Sequence, residues 1–518
     1  ANNNRLLEVV VHMASNDMYH HSESVAWRRK LLEQQQAHGA SEKKAVEVSE
    51  HIWIDMDPYS DSYGTPHKSA VRTAQLRSLI HPKIYPVPVG PTRQQNGEEG
   101  ESRTHVAFPS MEYQLIPHAK RGFMPTPSEE KLKLAEEQEM LRQAESSGAL
   151  ELAQKVVSEY KGDQISNLVS HGNESDAQRG RLIFTGTASA IPCKHRNVSG
   201  ICLMSGVESG FNSMLLDVGE GTVGQLLRNP SWTNSGADDI ATTLNRIKAV
   251  WISHPHADHH LGLLRLLHDR KCTFQPNSDN ADDRLLVIAP KPIYEFLREY
   301  SEIHPAIANT YRLFDSRDLI GNPNCHLIQL LSDSIGITNC RAVQVTHCPF
   351  AYAIIIDGTT FGRLVYSGDC RPSQALAREA IGADIVIHEA TFEDGMEAEA
   401  SVKRHCTIGE ALSIARQMKA KNTILTHFSQ RYPKIPPIPT ASDDRPHGSS
   451  MTIVFAFDFM SLTPSDCFLA SKLTPALRLL FPAEDEKNTD GEDEDISGLQ
   501  MAKAAMSVPG LFAQKELL

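Results

Sequence analysis

The chain contains no CxxC pair. Its nine cysteines (193, 202, 272, 325, 340, 348, 370, 406 and 467) are scattered without a regular framework. An odd count in a long chain reads as reduced thiols in an intracellular compartment. No run approaches the ~18 consecutive apolar residues of a membrane span, so no membrane partner is expected. The chain starts at Ala1 without Met, and no basic segment leads into an apolar one, so no signal peptide is read. No internal repeat is visible. Positive charge is not in excess either: Lys+Arg 51 against Asp+Glu 64 gives a formal charge of −13. Eight acids and one base between Glu484 and Asp495 carry −7 of that, leaving −6 elsewhere. This balance argues against a blanket polyanion binder and leaves room for a local basic groove. What is present is ordinary for a globular protein, with 40% hydrophobic and 22% charged residues over 518 positions. Three or four units of ~150 residues can each bury a core.

Texture divides the chain into four parts. Residues 1–127 are rich in His, Pro and polar residues, with a helix-like stretch at Val25–Gln36 and a polar loop at Thr92–Ser102. Residues 128–180 read as a helical linker: Ser128 suits an N-cap, Glu129 and Glu130 the first turn, and Ser146–Gly148 a break between two helices. From Asp163 the linker turns polar. From Arg181 to about residue 480 short apolar strands alternate with helices, which makes an α/β layered domain. Nine strands are expected (182–186, 213–218, 247–253, 284–289, 341–346, 351–357, 363–367, 384–388 and 423–426), with helices over 261–269, 292–300, 373–380 and 408–418. Residues 481–518 form an acidic tail, expected to be solvated and disordered.

The strongest chemical signal is Ser253-His254-Pro255-His256-Ala257-Asp258-His259-His260, between an apolar strand and a helix. Three imidazoles and a carboxylate on one strand-to-helix loop can aim several donors at one spot, and imidazole suits zinc. A surface His-rich loop is the bland alternative. Further polar residues stand at later strand ends: His347, Asp369, His388 with Glu389, and His427. Singly each reads as a satisfied cap or core residue. Together, five imidazoles (His254, His256, His259, His347, His427) and two carboxylates (Asp258, Asp369) exceed the four ligands of one tetrahedral zinc. They suit two zinc ions ~3.5–4 Å apart that share a carboxylate.

With these residues in view the sequence resembles the metallo-β-lactamase superfamily and, within it, the tRNase Z family, which trims the 3′ trailer from precursor tRNA. The narrower likeness rests on Phe184-Thr185-Gly186-Thr187, Arg196-Asn197-Val198-Ser199, Leu216-Asp217-Val218-Gly219-Glu220-Gly221-Thr222, Ser367-Gly368-Asp369, His388-Glu389-Ala390-Thr391 and His427-Phe428-Ser429-Gln430-Arg431-Tyr432. The resemblance implies a four-layer αββα sandwich over 181–480. It implies that residues 1–127 are part of a degenerate, non-catalytic β-lactamase-like domain, in a long form lacking the start of that domain. Consistently, none of the nine histidines before residue 120 sits in an HxHxDH pattern. The resemblance assigns His254, His256 and His347 to one zinc, Asp258, His259 and His427 to the other, and Asp369 as the bridge. Asp258 would also accept a proton from the nucleophile. It makes His405 the proton donor to the leaving oxygen, oriented by Glu389, although His405 alone reads as an exposed residue before a Thr407 N-cap. The expected partner is precursor tRNA, bound by a monomer whose two halves pair within the chain. The expected compartment is nucleus, mitochondrion or both.

Three departures from the family pattern stand out: Pro255, Cys406 in place of a serine, and Ala353 in place of a glycine. Substrate contacts are less sharply marked. Arg371 is placed to meet a phosphate or to be a turn residue; Arg431-Tyr432 offers a cation and a stacking plane, or core packing. Two alternatives to the nuclease remain: another hydrolase of the same fold, such as a thioesterase or another RNA 3′-processing nuclease, and a catalytically inactive scaffold.

Overall fold

The computed structural model describes residues 9–14, 26, 50–55, 68–88, 104–106, 113–114, 122–123, 129–167, 180–207, 210–232, 240–273, 284–321, 325–358, 360–430 and 451–481. The expected helix at 25–36, the loop at 92–102 and the acidic tail lie outside these residues, apart from position 26. The chain divides into a compact unit Ala1–Leu480 and a second, Phe481–Leu518.

Two sheets build the part of the chain that carries the site. The first has seven strands in the spatial order Tyr311–Asp315, Leu285–Ala289, Ile247–Trp251, Gly210–Val218, Gly200–Val207, Arg181–Gly186, Ser461–Leu462. The second has six, in the order Ile337–Gln344, Tyr352–Gly358, Gly362–Tyr366, Ile385–Glu389, Asn422–Thr426, Thr452–Phe455. Strands such as Leu285–Ala289 and Ile385–Glu389 are buried at every residue. That is the pattern of sheets covered on both faces. Leu263, Leu266 and Leu267 of the helix Gly262–Thr273 and Ile293 and Leu297 of Lys291–Ile303 close the core of the first sheet. Helices Ile408–Gln417 and Asp466–Leu480 pack on the second. The sheets are tied to each other by Tyr366 Oη donating to Asp217 Oδ2 at 2.7 Å and Tyr352 N donating to Ser253 O at 3.0 Å. The result is the expected α/β sandwich.

All nine expected strands are present, shifted by a few residues at their ends. Four more were not anticipated: Gly200–Val207, Tyr311–Asp315, Thr452–Phe455 and Ser461–Leu462. The linker forms two helices, Glu129–Ser146 and Ala149–Asn167, broken at Gly148 with φ +72°. The second helix runs past Asp163, where a polar linker was expected, and it packs on the helix Asp466–Leu480. Ahead of the linker, Val9–Ala14, Glu50–Asp55 and Thr104–Val106 form a parallel three-stranded sheet. The helix Lys68–Ile80 reaches the two-sheet part of the chain, where Arg77 Nη2 donates to Asp458 O at 3.2 Å.

Strand direction sets the site. Gly362–Tyr366, Ile385–Glu389 and Asn422–Thr426 run parallel, and Ile337–Gln344 lies in the same sense beyond one antiparallel neighbour. Their carboxyl ends therefore share one edge. In the other sheet Gly210–Val218 and Ile247–Trp251 are also parallel and end together. Residues just past parallel strand ends are free to face a crevice, and here two such edges meet.

Candidate metal centre

The loop Ser253–Asp258 leaves the strand Ile247–Trp251 and enters the short helix Ala257–His260. Close backbone contact holds this turn in place. A Cβ on Gly262 would collide with the Gly219 carbonyl oxygen, and one on Gly219 with the Asp258 carbonyl oxygen. His254 and His259 are fully buried and His256 is exposed, so the histidines run from the floor of the crevice to its mouth.

The other six expected ligands gather around Asp369. Its Oδ2 lies 3.6 Å from His254 Nε2, 3.6 Å from His347 Nε2 and 3.4 Å from His259 Nε2. Its Oδ1 lies 3.3 Å from His427 Nε2. On one side His256 Nδ1 is 3.0 Å from His254 Nε2 and 3.1 Å from His347 Nε2. On the other, Asp258 Oδ2 is 3.4 Å from His259 Nε2 and 3.6 Å from His427 Nε2. Two sets of donors thus share one carboxylate. The spacing is close to the ~3.3 Å edge of a tetrahedron built on metal–ligand bonds of about 2.0–2.1 Å.

Four of the five imidazoles have their outer nitrogen engaged. His254 Nδ1 meets Ser253 Oγ at 3.0 Å, His259 Nδ1 meets Asp217 Oδ2 at 2.7 Å, His347 Nδ1 donates to Arg404 O at 2.9 Å, and His427 Nδ1 meets Thr391 Oγ1 at 2.9 Å. Such outer partners orient metal-binding imidazoles and leave the inner Nε2 lone pair available. Asp217 was quoted as part of a motif but given no role. It is buried, held at φ +58°, and also accepts from Ser253 N, Ser253 Oγ and Tyr366 Oη, each at 2.7 Å. Its only sequence signal is a carboxylate at the end of an apolar strand. His427, at φ +60°, shares this left-handed backbone, which costs a non-glycine residue about 1–3 kcal/mol.

These residues fit metal cations. His259 Nε2, His427 Nε2 and Asp369 Oδ1 are buried without a hydrogen-bond partner and face one another. Buried polar atoms are normally satisfied, so this trio marks a place for a charged guest. Burial opposes charge on His259, yet Asp369, Asp258 and Asp217 outweigh it and hold its proton well above the imidazole range. A cation would supply the same positive charge. Burial lowers His254, His256 and His347, leaving them as the neutral imidazoles a metal needs.

His405 stands beside both sets but belongs to neither. Its Nδ1 lies 2.9 Å from Glu389 Oε1 and 3.9 Å from Asp369 Oδ2, and its ring stacks on His427. Burial works against its charge, but Glu389 and then Asp369 outweigh it and push the imidazole up to about 9. Glu389 is itself buried, accepting from Cys370 N at 2.9 Å and from Thr391 Oγ1 at 2.7 Å. Thr407 caps the helix Ile408–Gln417 in a reciprocal capping box with Glu410, as its position suggested. Arg371, read as either a phosphate contact or a turn residue, is held by partners within the chain. Its guanidinium binds Glu410 at 2.6 and 2.9 Å and donates to His405 O at 2.5 Å. The geometry makes it a brace for the His405 turn. Arg431 and Tyr432 lie outside the described residues.

Comparison with known proteins places this arrangement. Residues 212–428 match the model of the beta-lactamase superfamily domain. The chain is 34% identical over 339 residues to the mitochondrial ribonuclease Z of Drosophila melanogaster, covering 64% of this chain and 40% of the relative. It is 32% identical over 444 residues to mouse zinc phosphodiesterase ELAC protein 2, covering 83% and 49%. The mitochondrial tRNase Z TRZ3 of Arabidopsis thaliana is 32% identical over 365 residues, covering 62% and 39%. The chain thus spans less than half the length of these curated relatives. A long-form RNase Z from yeast superposes with a TM-score of 0.65 at 19% identity, covering 91% of this chain and 72% of that one, and so shares the fold.

Proposed function

We propose that the chain is a member of the long-form ribonuclease Z branch of the beta-lactamase superfamily, a zinc-dependent endoribonuclease that removes the 3′ trailer of precursor tRNA. One observation carries the reading: two donor sets share Asp369 while His405, paired with Glu389, stands against them as a separate proton carrier. His254, His256 and His347 would hold one zinc ion and Asp258, His259 and His427 a second, with Asp369 common to both. Bound zinc supplies Lewis acidity toward a phosphoryl oxygen and lowers the pKa of water.

The chain's own residues do the rest. Ala190 N donates to Asp258 Oδ2 at 2.8 Å and helps hold the carboxylate, which would serve as ligand and as acceptor of the nucleophile's proton. Glu389 accepts the Nδ1 proton of His405 and leaves Nε2 to protonate the leaving ribose oxygen. Burial opposes the charge on His405, but Glu389 and Asp369 raise the imidazole to about 9, so it holds its proton ready for the leaving oxygen. A thioester has a good leaving group and has no need of that pair. The products would be a 3′-hydroxyl on the tRNA and a 5′-phosphate on the trailer.

A monomer is the assembly we propose, with residues 1–127 as the non-catalytic β-lactamase-like part. The mitochondrion is the compartment we assign, from the names of the fly and plant relatives. Among the described residues no helix is long and apolar enough to cross a membrane. The test is incubation of the purified chain, with zinc, with a 3′-extended tRNA precursor, and mapping of the cut. A single cut at the 3′ end of the tRNA body supports the reading. An intact precursor beside a folded protein holding two zinc ions, or hydrolysis of thioesters in its place, overturns it.

A further inference from the structure

Beside the Asp369 cluster lies a group of soft donors that the proposed cleavage does not use. Cys370 directly follows Asp369 and Cys406 directly follows His405, so each begins where a candidate site residue ends. Their thiols and the His388 ring place one donor atom each within 4.8 Å of one another, and all three residues are fully buried. Both thiols are free, and Cys406 Sγ donates to Cys370 O at 3.0 Å, linking the two loops. His388 Nδ1 donates to Glu389 O at 2.8 Å, which fixes the tautomer with a bare lone pair on Nε2. That Nε2 is buried without a hydrogen-bond partner. A buried imidazole nitrogen with no hydrogen-bond partner, grouped with two sulfurs, makes a set of soft donors whose nitrogen has no assigned acceptor or donor role.

We propose that Cys370, His388 and Cys406 form a binding site for one soft d10 cation, distinct from the Asp369 cluster. Thiolate and imidazole donors select such ions. Metal–sulfur bonds of about 2.3 Å and metal–nitrogen bonds of about 2.0–2.1 Å separate the donors by ~3.5–4 Å, inside the spread found here. On binding, each thiol releases its proton to solvent and each sulfur gives the ion a lone pair; His388 contributes Nε2 without losing a proton, and nothing is oxidised. Two thiolates neutralise a divalent zinc ion, whereas three donors match the coordination number of a cuprous ion. Occupation would tighten the two loops that carry Asp369 and His405, so a filled site would also change turnover at the neighbouring centre.

The test uses the full chain with zinc already bound, titrated anaerobically with Cd2+ and, separately, with cuprous ion. Thiolate-to-metal charge transfer is followed by ultraviolet absorption and bound metal by dialysis. One thiolate-bound ion per chain is expected, with the band lost in Cys370→Ser and in Cys406→Ser while zinc in the Asp369 cluster is retained. Cys348 lies within the same spacing of His254, His256 and His347, so Cys348→Ser is the control and must keep the band. His388→Gln should weaken binding at least tenfold, as expected for loss of a ligand. Retention of Cd2+ alone would mark a zinc site, and retention of cuprous ion alone a copper site; both support the proposal. A wild-type chain without the band, a band that survives both cysteine variants, or one that vanishes with Cys348→Ser overturns it. Should one cysteine variant fail to fold, the other decides.

Discussion

The two sheets contribute to the centre in opposite ways. The seven-stranded sheet supplies His254, His256, Asp258 and His259 from one loop of six residues, braced from beneath by Asp217. The six-stranded sheet supplies His347, Asp369, Glu389 and His427 from four separate strand ends, with His405 on the turn before a helix. In the first, local chain geometry makes the site; in the second, only sheet topology does. The second half therefore depends on cross-braces: Thr391 between Glu389 and His427, Arg404 against His347, and Arg371 against His405. A site assembled from distant segments is more easily loosened than one carried by a single loop, and it is also where a proton donor can be added without disturbing the ligands.

Breaking the joint between the halves should cost most. Asp369→Ala removes the one carboxylate common to both donor sets, so bound zinc should fall below wild type and cleavage of the precursor should vanish. Metal analysis on the same preparation checks this; full activity with wild-type zinc content would refute the shared role. Next comes His405, the proposed proton donor of the second half. His405→Ala should keep zinc and precursor affinity while turnover falls ~10²–10⁴-fold, the usual worth of general acid catalysis. Glu389→Ala should lose less in the same direction, and the double variant should not be additive, because the pair acts as one unit. A precursor with a better leaving group at the scissile phosphorus should rescue His405→Ala and leave Asp369→Ala inactive. Equal losses on both substrates would make His405 structural.

The first half has its own weak point. Asp217→Asn keeps shape but turns an amide N–H2 toward Tyr366 Oη, Ser253 Oγ and His259 Nδ1, all of which point at the present Oδ2. Loss of such an outer brace typically lowers metal affinity about 10–100-fold. With the two zinc ions proposed above, chelator titration should release one early, the one facing His259.

Which of these residues could be read from the sequence follows the same division. HxHxDH was legible because its donors are close along the chain and lie between an apolar strand and a helix. His347, Asp369 and His427 were legible only as a repeated habit, a lone polar residue at each strand end, together with the resemblance. The braces were not legible. Arg371 is paired with Glu410, 39 positions on, and Asp217 with Tyr366, 149 positions on, and no local pattern marks either pair. Among the elements, Gly200–Val207 was missed because Ser and Gly interrupt its apolar run, and Ser461–Leu462 because two residues carry no periodicity. The helix Asp466–Leu480 was hidden by Pro475. The helix nevertheless forms, because Leu469, Leu473, Leu477 and Leu480 bury one face against the core.

The smallest expected effect is the one that tests whether the second half needs its braces. Arg371 joins the Asp369 loop to the turn bearing His405: its guanidinium grips both oxygens of Glu410 and one amino group also holds the His405 carbonyl. Arg371→Lys keeps the charge but cannot reproduce the planar fork, so the carbonyl contact or one carboxylate contact is lost. The pair is about one-fifth exposed, so solvent screens the loss to roughly 0.2–1 kcal/mol. If all of that falls on the placement of His405, turnover drops by about 1.4- to fivefold with KM and zinc unchanged. The better leaving group should erase this deficit, as in His405→Ala, because both variants would fail at the same proton. A contact with substrate phosphate predicts the reverse: KM would rise, turnover would hold, and the leaving group would make no difference. The two outcomes separate a brace from a substrate contact at a residue where the sequence allowed either.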